Sequence, residues 1–187
     1  MAYLNRHQLE AMGFKRLGSN VKISDRASLY GCHEMEIGCD SRIDDFCVLS
    51  GRLRLGRNVH IAPFCLLAGG DKGIVMEDFS GLAYQVQVFS QSDDYSGATL
   101  TNPTVPDAYK KEYKAAVHLG RHVIVGAGTV VFPGVHLAEG CSVGAMSLVK
   151  KSTRAWGIYS GVPATRLRER KRDLLALEQQ FLSESPR

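Results

Sequence analysis

The sequence predicts a parallel β-helix, and three observations carry that prediction. Fifteen aliphatic residues keep a six-residue beat: Ile37, Ile43, Leu49, Leu55, Ile61 and Leu67, then Met76, Leu82 and Val88, then Leu119, Val125, Val131, Leu137, Val143 and Val149. Four residues after many of them comes a small side chain, as at Ser41, Cys47, Cys65, Ser80, Thr129, Cys141 and Ser147. A period of six suits neither the helix nor the simple strand. Three hexads close one triangular coil, and stacked coils bury a continuous core.

The elements follow in chain order. Residues 1–18 form a capping segment, with a short amphipathic helix over 2–12 that covers the strand edges of the first coil. Val21, Ile23 and Leu29 open an imperfect coil, and the β-helix runs over 19–160, with roughly five or six coils expected from its length. The beat breaks between Val88 and Leu119, where residues 89–116 are polar, carry Pro103 and Pro106, and match no hexad. Loops of this length are functional or disordered. Because a regular coil resumes at once, this loop leaves and returns at one corner. The favoured reading is a loop that reaches a neighbouring subunit and builds part of a site. Residues 161–187 give a turn at Gly161-Val162-Pro163-Ala164 and then a helix over 165–182. Arg and Lys at the start of that helix oppose its dipole, which points to an anionic partner.

Composition narrows the function. The chain has 187 residues, 44% hydrophobic and 22% charged, which suits one ordinary soluble domain. No apolar stretch is long enough to span a membrane, and the N-terminus lacks the order of a signal peptide, so a cytoplasmic location is expected. The five cysteines show no CxxC spacing and read as reduced core fillers, not disulfides or a zinc site. The net charge of +4 is mild and concentrates in Arg166–Arg172, so no nucleic-acid partner is indicated.

Three segments carry a resemblance: VGAGTVVFPGV at 125–135, VGAMSLV at 143–149 and GVPA at 161–164. Over about residues 18–172 the chain resembles the hexapeptide-repeat acyltransferases, in particular the sugar O- and N-acetyltransferases related to galactoside and maltose acetyltransferases. Ser90–Gly97 and Thr101–Pro103 resemble the subgroup found in bacterial polysaccharide and O-antigen gene clusters. The resemblance implies a left-handed β-helix, a homotrimer, and acetyl-CoA in a groove between subunits. It implies a sugar or sugar-nucleotide acceptor and no metal. The pantetheine arm would run along Ala127 and Ala145. Lys151 and Arg168, with Lys150 and Arg166 as alternatives, would meet the phosphates of CoA. In many relatives an aromatic residue stands where this chain has Ile124.

Family members usually place a general-base His at the start of the long loop, and this chain has none there. Three alternatives stand. Asp93 or Asp94 acts as base, with a pKa raised by burial and by its carboxylate neighbour. His60, one residue before a corner aliphatic and so pointing outward, serves instead, with His118 a weaker candidate. Or a neutral amine attacks without a strong base, and the aspartates bind the sugar. Asp71 stands where the hexad expects a small residue and is a candidate acceptor ligand, with Tyr84 and Gln85 beside it. The competing function is a catalytically inactive trimeric scaffold. The three-His zinc arrangement of β-helical carbonic anhydrases is not matched.

Overall fold

The computed structural model describes residues 2–184. Met1 and residues 185–187, the outer ends of the two expected terminal segments, lie outside the described residues. The body is a left-handed parallel β-helix of about seven turns. The sixth and seventh come from coils the beat marks poorly, at residues 16–30 and 157–161.

Each turn contributes a short strand to each of three faces. The first face runs from Arg16–Leu17 through Met35–Ile37, Leu53–Leu55, Ile74–Met76 and Val117–Leu119 to His136–Leu137. The second runs from Lys22–Ile23 through Arg42–Ile43, His60–Ile61, Gly81–Leu82, Ile124–Val125 and Ser142–Val143 to Gly157–Gly161. The third runs from Ser28–Tyr30 through Val48–Ser50, Leu66–Ala68, Gln87–Phe89 and Val130–Val131 to Leu148–Val149. Registers are in step, so Leu49, Leu67, Val88, Val131 and Val149 form one inward column.

All fifteen beat residues are at most 3% exposed, as are the seven small residues that follow them. Those small residues also close backbone gaps: the Ser41 hydroxyl donates to Gly56 O at 2.9 Å and accepts from Val59 N at 3.1 Å. Leu67, fully buried, has no room to be replaced from solvent. Leu67→Ala is expected to lower unfolding stability by about 3 kcal/mol, the usual result of lost transfer energy plus a cavity. A urea midpoint within error of wild type would contradict that.

The N-terminal cap is the helix α1, Arg6–Ala11. Asn5 accepts from Gln8 N at 2.9 Å and donates its own N–H to Gln8 Oε1 at 2.8 Å, a reciprocal capping box. Leu9 is its buried residue, packed over the first coil.

The C-terminus departs from expectation. Residues 165–173 are not helical. Ala164–Glu169 is a strand, antiparallel to Gly157–Gly161, with Tyr159 opposite Arg166 and Ile158 opposite Arg168. The turn at 161–164 folds the chain back onto the open edge of the second face, whose unpaired backbone groups it satisfies. Helix α2 begins later and covers Leu174–Glu184. The basic tract therefore lies on an edge strand and its connector, and the dipole argument does not apply to it. Glu178 is the buried residue of α2, bonded to Arg121 and to His122 Nε2 at 2.9 Å, while Phe181 meets the Phe79 ring edge-on at 6.2 Å.

Candidate active site

The long loop leaves the corner between the third and first faces. Its base is a two-stranded hairpin, Gln91–Ser92 against Tyr113–Lys114. Beneath it lies a cavity of about 320 Å³ lined by Phe89, Gln91, Ser92, Asp93, Tyr95, Pro103, Glu112, Phe132 and Pro133. Apolar rings with a few convergent polar groups suit a sugar acceptor. Glu112 is held by Lys114 at 2.9 Å and Lys110 at 3.5 Å. The Asp93 carboxylate accepts no hydrogen bond from another group among the described residues, so both its oxygens are available to the cavity.

Asp94 has a different job. Its carboxylate accepts from Ser96 N at 2.8 Å and from Thr99 Oγ1 at 3.0 Å, closing a turn inside the loop. Those bonds, Ser96 first, hold its pKa below the ordinary value. The raised pKa expected for this residue is therefore corrected to a lowered one. Asp71 is corrected too. Three extra residues between Leu67 and Met76 form a surface turn, closed by Gly73 N donating to Gly69 O at 2.7 Å. Ile74, opposite Leu53, takes the packed place. The Asp71 side chain is 84% exposed and lies 3.8 Å from Lys114 Nζ.

The corner between the second and third faces carries Tyr84, Gln85, Ala127 and Ala145. Tyr84 and Gln85 are exposed. Gly126 cannot bear a side chain, because a Cβ there would stand 2.5 Å from Ala145 N. Thr129 Oγ1 and Ser147 Oγ donate to Gly144 O at 3.0 and 2.8 Å, locking the turn from inside. The N–H groups of Ala127 and Ala145 donate to no protein group among the described residues. Two small residues with free backbone donors form a rail that an amide-bearing chain can follow closely.

His60 stands on the second face with its side chain 47% exposed, and Nε2 lies 2.8 Å from Asp44 Oδ2. Asp44 is 1% exposed and also accepts twice from Arg42, at 2.7 and 2.8 Å. A carboxylate only accepts, so Nε2 carries the proton and Nδ1 is the free lone pair of the neutral ring. Burial would raise the Asp44 pKa. The bonds from Arg42 and His60 outweigh it and hold the carboxyl below its ordinary value of 3.8. A depressed carboxyl stabilises the fold above that value and loses its contribution as pH falls through the folded pKa. Asp44→Asn is expected to lose about 1–2 kcal/mol at pH 7 and progressively less below pH about 4. Urea unfolding at both pH values checks this, and an equal loss at the two would contradict it.

The remaining candidates are dispersed. Lys150 and Lys151 are exposed at the corner from which the loop springs, with Lys150 Nζ 5.7 Å from the centre of the Phe132 ring. Arg166 and Arg168 are exposed on the C-terminal strand, and Arg166 pairs with Glu169. His118 lies on the first face, 2.8 Å from Glu77 Oε1 and stacked on His136 at 4.6 Å. A larger concavity of about 470 Å³ lies on that face, between Arg16, Glu36, Arg54, Glu77 and Arg121, and contains none of the predicted site residues.

Within one chain the cavity under the loop thus holds Asp93 and none of His60, Tyr84, Gln85, Ala127 or Ala145. The two halves stand at opposite edges of the third face. Sequence reasoning missed Asp44, Phe132 and Glu112. For Asp44 a signal existed: at the residue after the corner aliphatic, other coils carry Ser24, Ala62, Ala83, Gly126 and Gly144, all small.

No protein-family model matches the chain. It is 42% identical over 184 residues to a dTDP-4-amino-4,6-dideoxy-D-glucose acyltransferase of Escherichia coli, covering 97% of this chain and 95% of that one. The chain belongs to the sugar-nucleotide branch of the hexapeptide-repeat acyltransferases. Solved structures agree. AntD, an N-acyltransferase from Bacillus cereus, matches with a TM-score of 0.97 at 43% identity, over 98% of this chain and 99% of that one, as a serine-to-alanine variant in complex with dTDP-4-amino-4,6-dideoxyglucose and coenzyme A. AntD in complex with dTDP and 3-hydroxybutyryl-CoA matches with a TM-score of 0.95 at 43% identity, over 97% of this chain and 96% of that one. Membership of this acyltransferase family sets the inactive scaffold aside.

Proposed function

We propose that this acyltransferase moves an acyl group from acyl-CoA to the 4-amino group of a dTDP-linked 4-amino-4,6-dideoxy sugar, and that it works as a homotrimer in the cytoplasm. The observation that carries the reading is likeness along the whole chain to transferases named for that acceptor. The chemistry of the site supports it. An amine, unlike a hydroxyl, attacks a thioester in its neutral form, and the loop His used for hydroxyl acceptors is missing here. Asp93 receives the amine in the cavity, orients its lone pair and takes the proton as the C–N bond forms. The C–S bond then breaks, and the proton passes to the departing thiolate through solvent. The rail at Ala127 and Ala145 holds the pantetheine arm, and Lys150, Lys151, Arg166 and Arg168 supply cations for the CoA phosphates. Tyr84 and Gln85 stand at the lower end of that rail, beside the acceptor. His60, with its free Nδ1 oriented by Asp44, is the second candidate base.

The outward residues of the three faces support the trimer. The outward column of the third face reads Ser28, Val48, Leu66, Gln87, Val130 and Leu148, whereas the other two faces begin with Arg16, Glu36 and Arg54, or Lys22, Arg42 and His60. Packing these largely apolar faces about a three-fold axis would set the rail of one subunit beside the loop cavity of the next and so complete the site. No helix among the described residues is long and apolar enough to cross a membrane. An N-acylated nucleotide sugar is a donor for glycosyl transfer, which fits polysaccharide or O-antigen assembly.

The test is thiol release from acetyl-CoA and 3-hydroxybutyryl-CoA, with dTDP-4-amino-4,6-dideoxyglucose or dTDP-glucose as acceptor. Release with the amine and not with the alcohol is expected. Release with free sugars alone would overturn the assignment, and a monomeric mass by light scattering would overturn the trimer.

A further inference from the structure

The hairpin at the base of the loop pairs Gln91 with Lys114 and Ser92 with Tyr113. Carried one residue further, that antiparallel register sets Asp93 opposite Glu112. Side chains directly opposite each other stand on one side of the ribbon, with Cβ atoms about 4.5–5.5 Å apart. Both residues line the cavity. Like charges in such a pair repel, and the chain offsets the repulsion at Glu112 alone. Glu112 lies between Lys114 at 2.9 Å and Lys110 at 3.5 Å, and these cations reach Asp71 at 3.8 Å and Asp107 at 3.2 Å. The five charges alternate in sign along the base of the loop. The Lys110 side chain is only 7% exposed, so its ammonium is packed into the loop and does not wander in solvent. Lys114 first, and Lys110 with it, hold the Glu112 carboxyl below the ordinary carboxylate range. That makes Glu112 a poor proton acceptor and a constant hydrogen-bond acceptor. Under the proposed reaction Asp93 takes the proton, and Glu112 is left without a part.

We propose that Glu112 is a specificity-determining residue, accepting a hydrogen bond from the sugar hydroxyl on the carbon next to the one that bears the amine. The proposal rests on the reading of the acceptor as a 4-amino-4,6-dideoxy sugar. In such a sugar the amine has a hydroxyl on the neighbouring carbon to one side. To the other side, the neighbouring ring carbon carries a methyl group. The cavity has the same asymmetry. Its hairpin wall presents two carboxylates side by side, a spacing that suits two donors on adjacent carbons. The solenoid beneath supplies Phe89, Phe132 and Pro133, which suit the methyl group. With the amine at Asp93, turning the hydroxyl toward Glu112 turns the methyl away from the charges. A carboxylate makes the stronger, charge-assisted bond to a hydroxyl. A sugar without that hydroxyl leaves Glu112 desolvated and short of a donor, which is how a site built around a hydrogen bond rejects a deoxy analogue.

The test uses the full chain and compares kcat/KM for dTDP-4-amino-4,6-dideoxyglucose and for its 3-deoxy analogue at saturating acetyl-CoA. Wild type is expected to prefer the hydroxyl-bearing acceptor about thirty-fold, on the scale of a hydrogen bond to a charged group. Glu112→Gln keeps the shape. It should lose about ten-fold on the hydroxyl-bearing acceptor and stay within about two-fold on the deoxy one, so that the preference shrinks to about three-fold. KM for acyl-CoA should stay near wild type. Glu112→Asp, one methylene shorter between the same lysines, should give a preference between the two, and it carries the comparison if the Gln variant is unstable. A merely structural role in the loop would lower both acceptors alike, so an unchanged preference in Glu112→Gln would overturn the proposal. A wild-type preference near one would overturn it too, and that measurement needs no variant to fold. If wild type acylates neither amino sugar, the reading beneath the proposal fails instead, and the two failures are distinct.

Discussion

Replacing Asp93 by Asn is expected to lower kcat about a thousand-fold while changing KM for acyl-CoA less than about three-fold. The size follows from its situation. Asp93 lines the cavity with no donor among the described residues on its carboxylate, so under the proposed reaction its oxygens would serve the incoming amine. Asn keeps the shape and can still accept one hydrogen bond, but it cannot take a proton or balance an ammonium. Its neighbour gives the control. Asp94 is spent on Ser96 and Thr99, so Asp94→Asn should act through loop order and raise KM for the acceptor more than it lowers kcat. His60→Ala should leave kcat within about ten-fold of wild type, the ring being bonded to Asp44 on the second face. Thiol release at saturating acyl-CoA reads all three. A large loss in His60→Ala alongside near-normal Asp93→Asn would move the base from the loop to the coil.

Much of the fold was legible because a triangular coil leaves little freedom. One aliphatic residue must fill each corner and one small residue must follow, so periodicity and burial coincide at every beat position. Where the chain departs from the beat, local reading failed for identifiable reasons. Asp71 looked like a charge in a packed place because a fixed register was carried through a three-residue insertion; the core position had moved to Ile74. Residues 165–173 looked helical because Arg, Leu and Glu favour helices, but the open edge of the last coil imposed strand pairing, a tertiary term that propensity does not contain. The site was less legible than the fold. Glu112 and Phe132 reach Asp93 only because the loop folds back on its own hairpin, and no spacing announces that. His60 was visible as an outward residue, whereas Asp44, which orients it, was hidden among corner positions that elsewhere hold Ser, Ala or Gly.

The other large effect is expected from Ala145→Trp, which should lower kcat/KM for acyl-CoA about a hundred-fold or more without unfolding the chain. Ala145 is exposed at the corner and its Cβ points away from the core, so a larger side chain meets solvent and not neighbouring coils. Stability should stay within about 0.5 kcal/mol of wild type, as for surface changes generally. The ring would instead cover the free N–H groups of the rail and stop a pantetheine arm from lying against them. Losing two hydrogen bonds and close contact along the arm amounts to about 3 kcal/mol, which is the hundred-fold. Gly126→Ala offers the complementary case. Its new Cβ would stand 2.5 Å from Ala145 N, so the backbone itself must shift and stability should fall along with activity. Thermal unfolding and acyl-CoA titration of the two variants therefore separate a blocked rail from a broken one. Ala145→Trp with normal acyl-CoA affinity would remove this corner from the donor site.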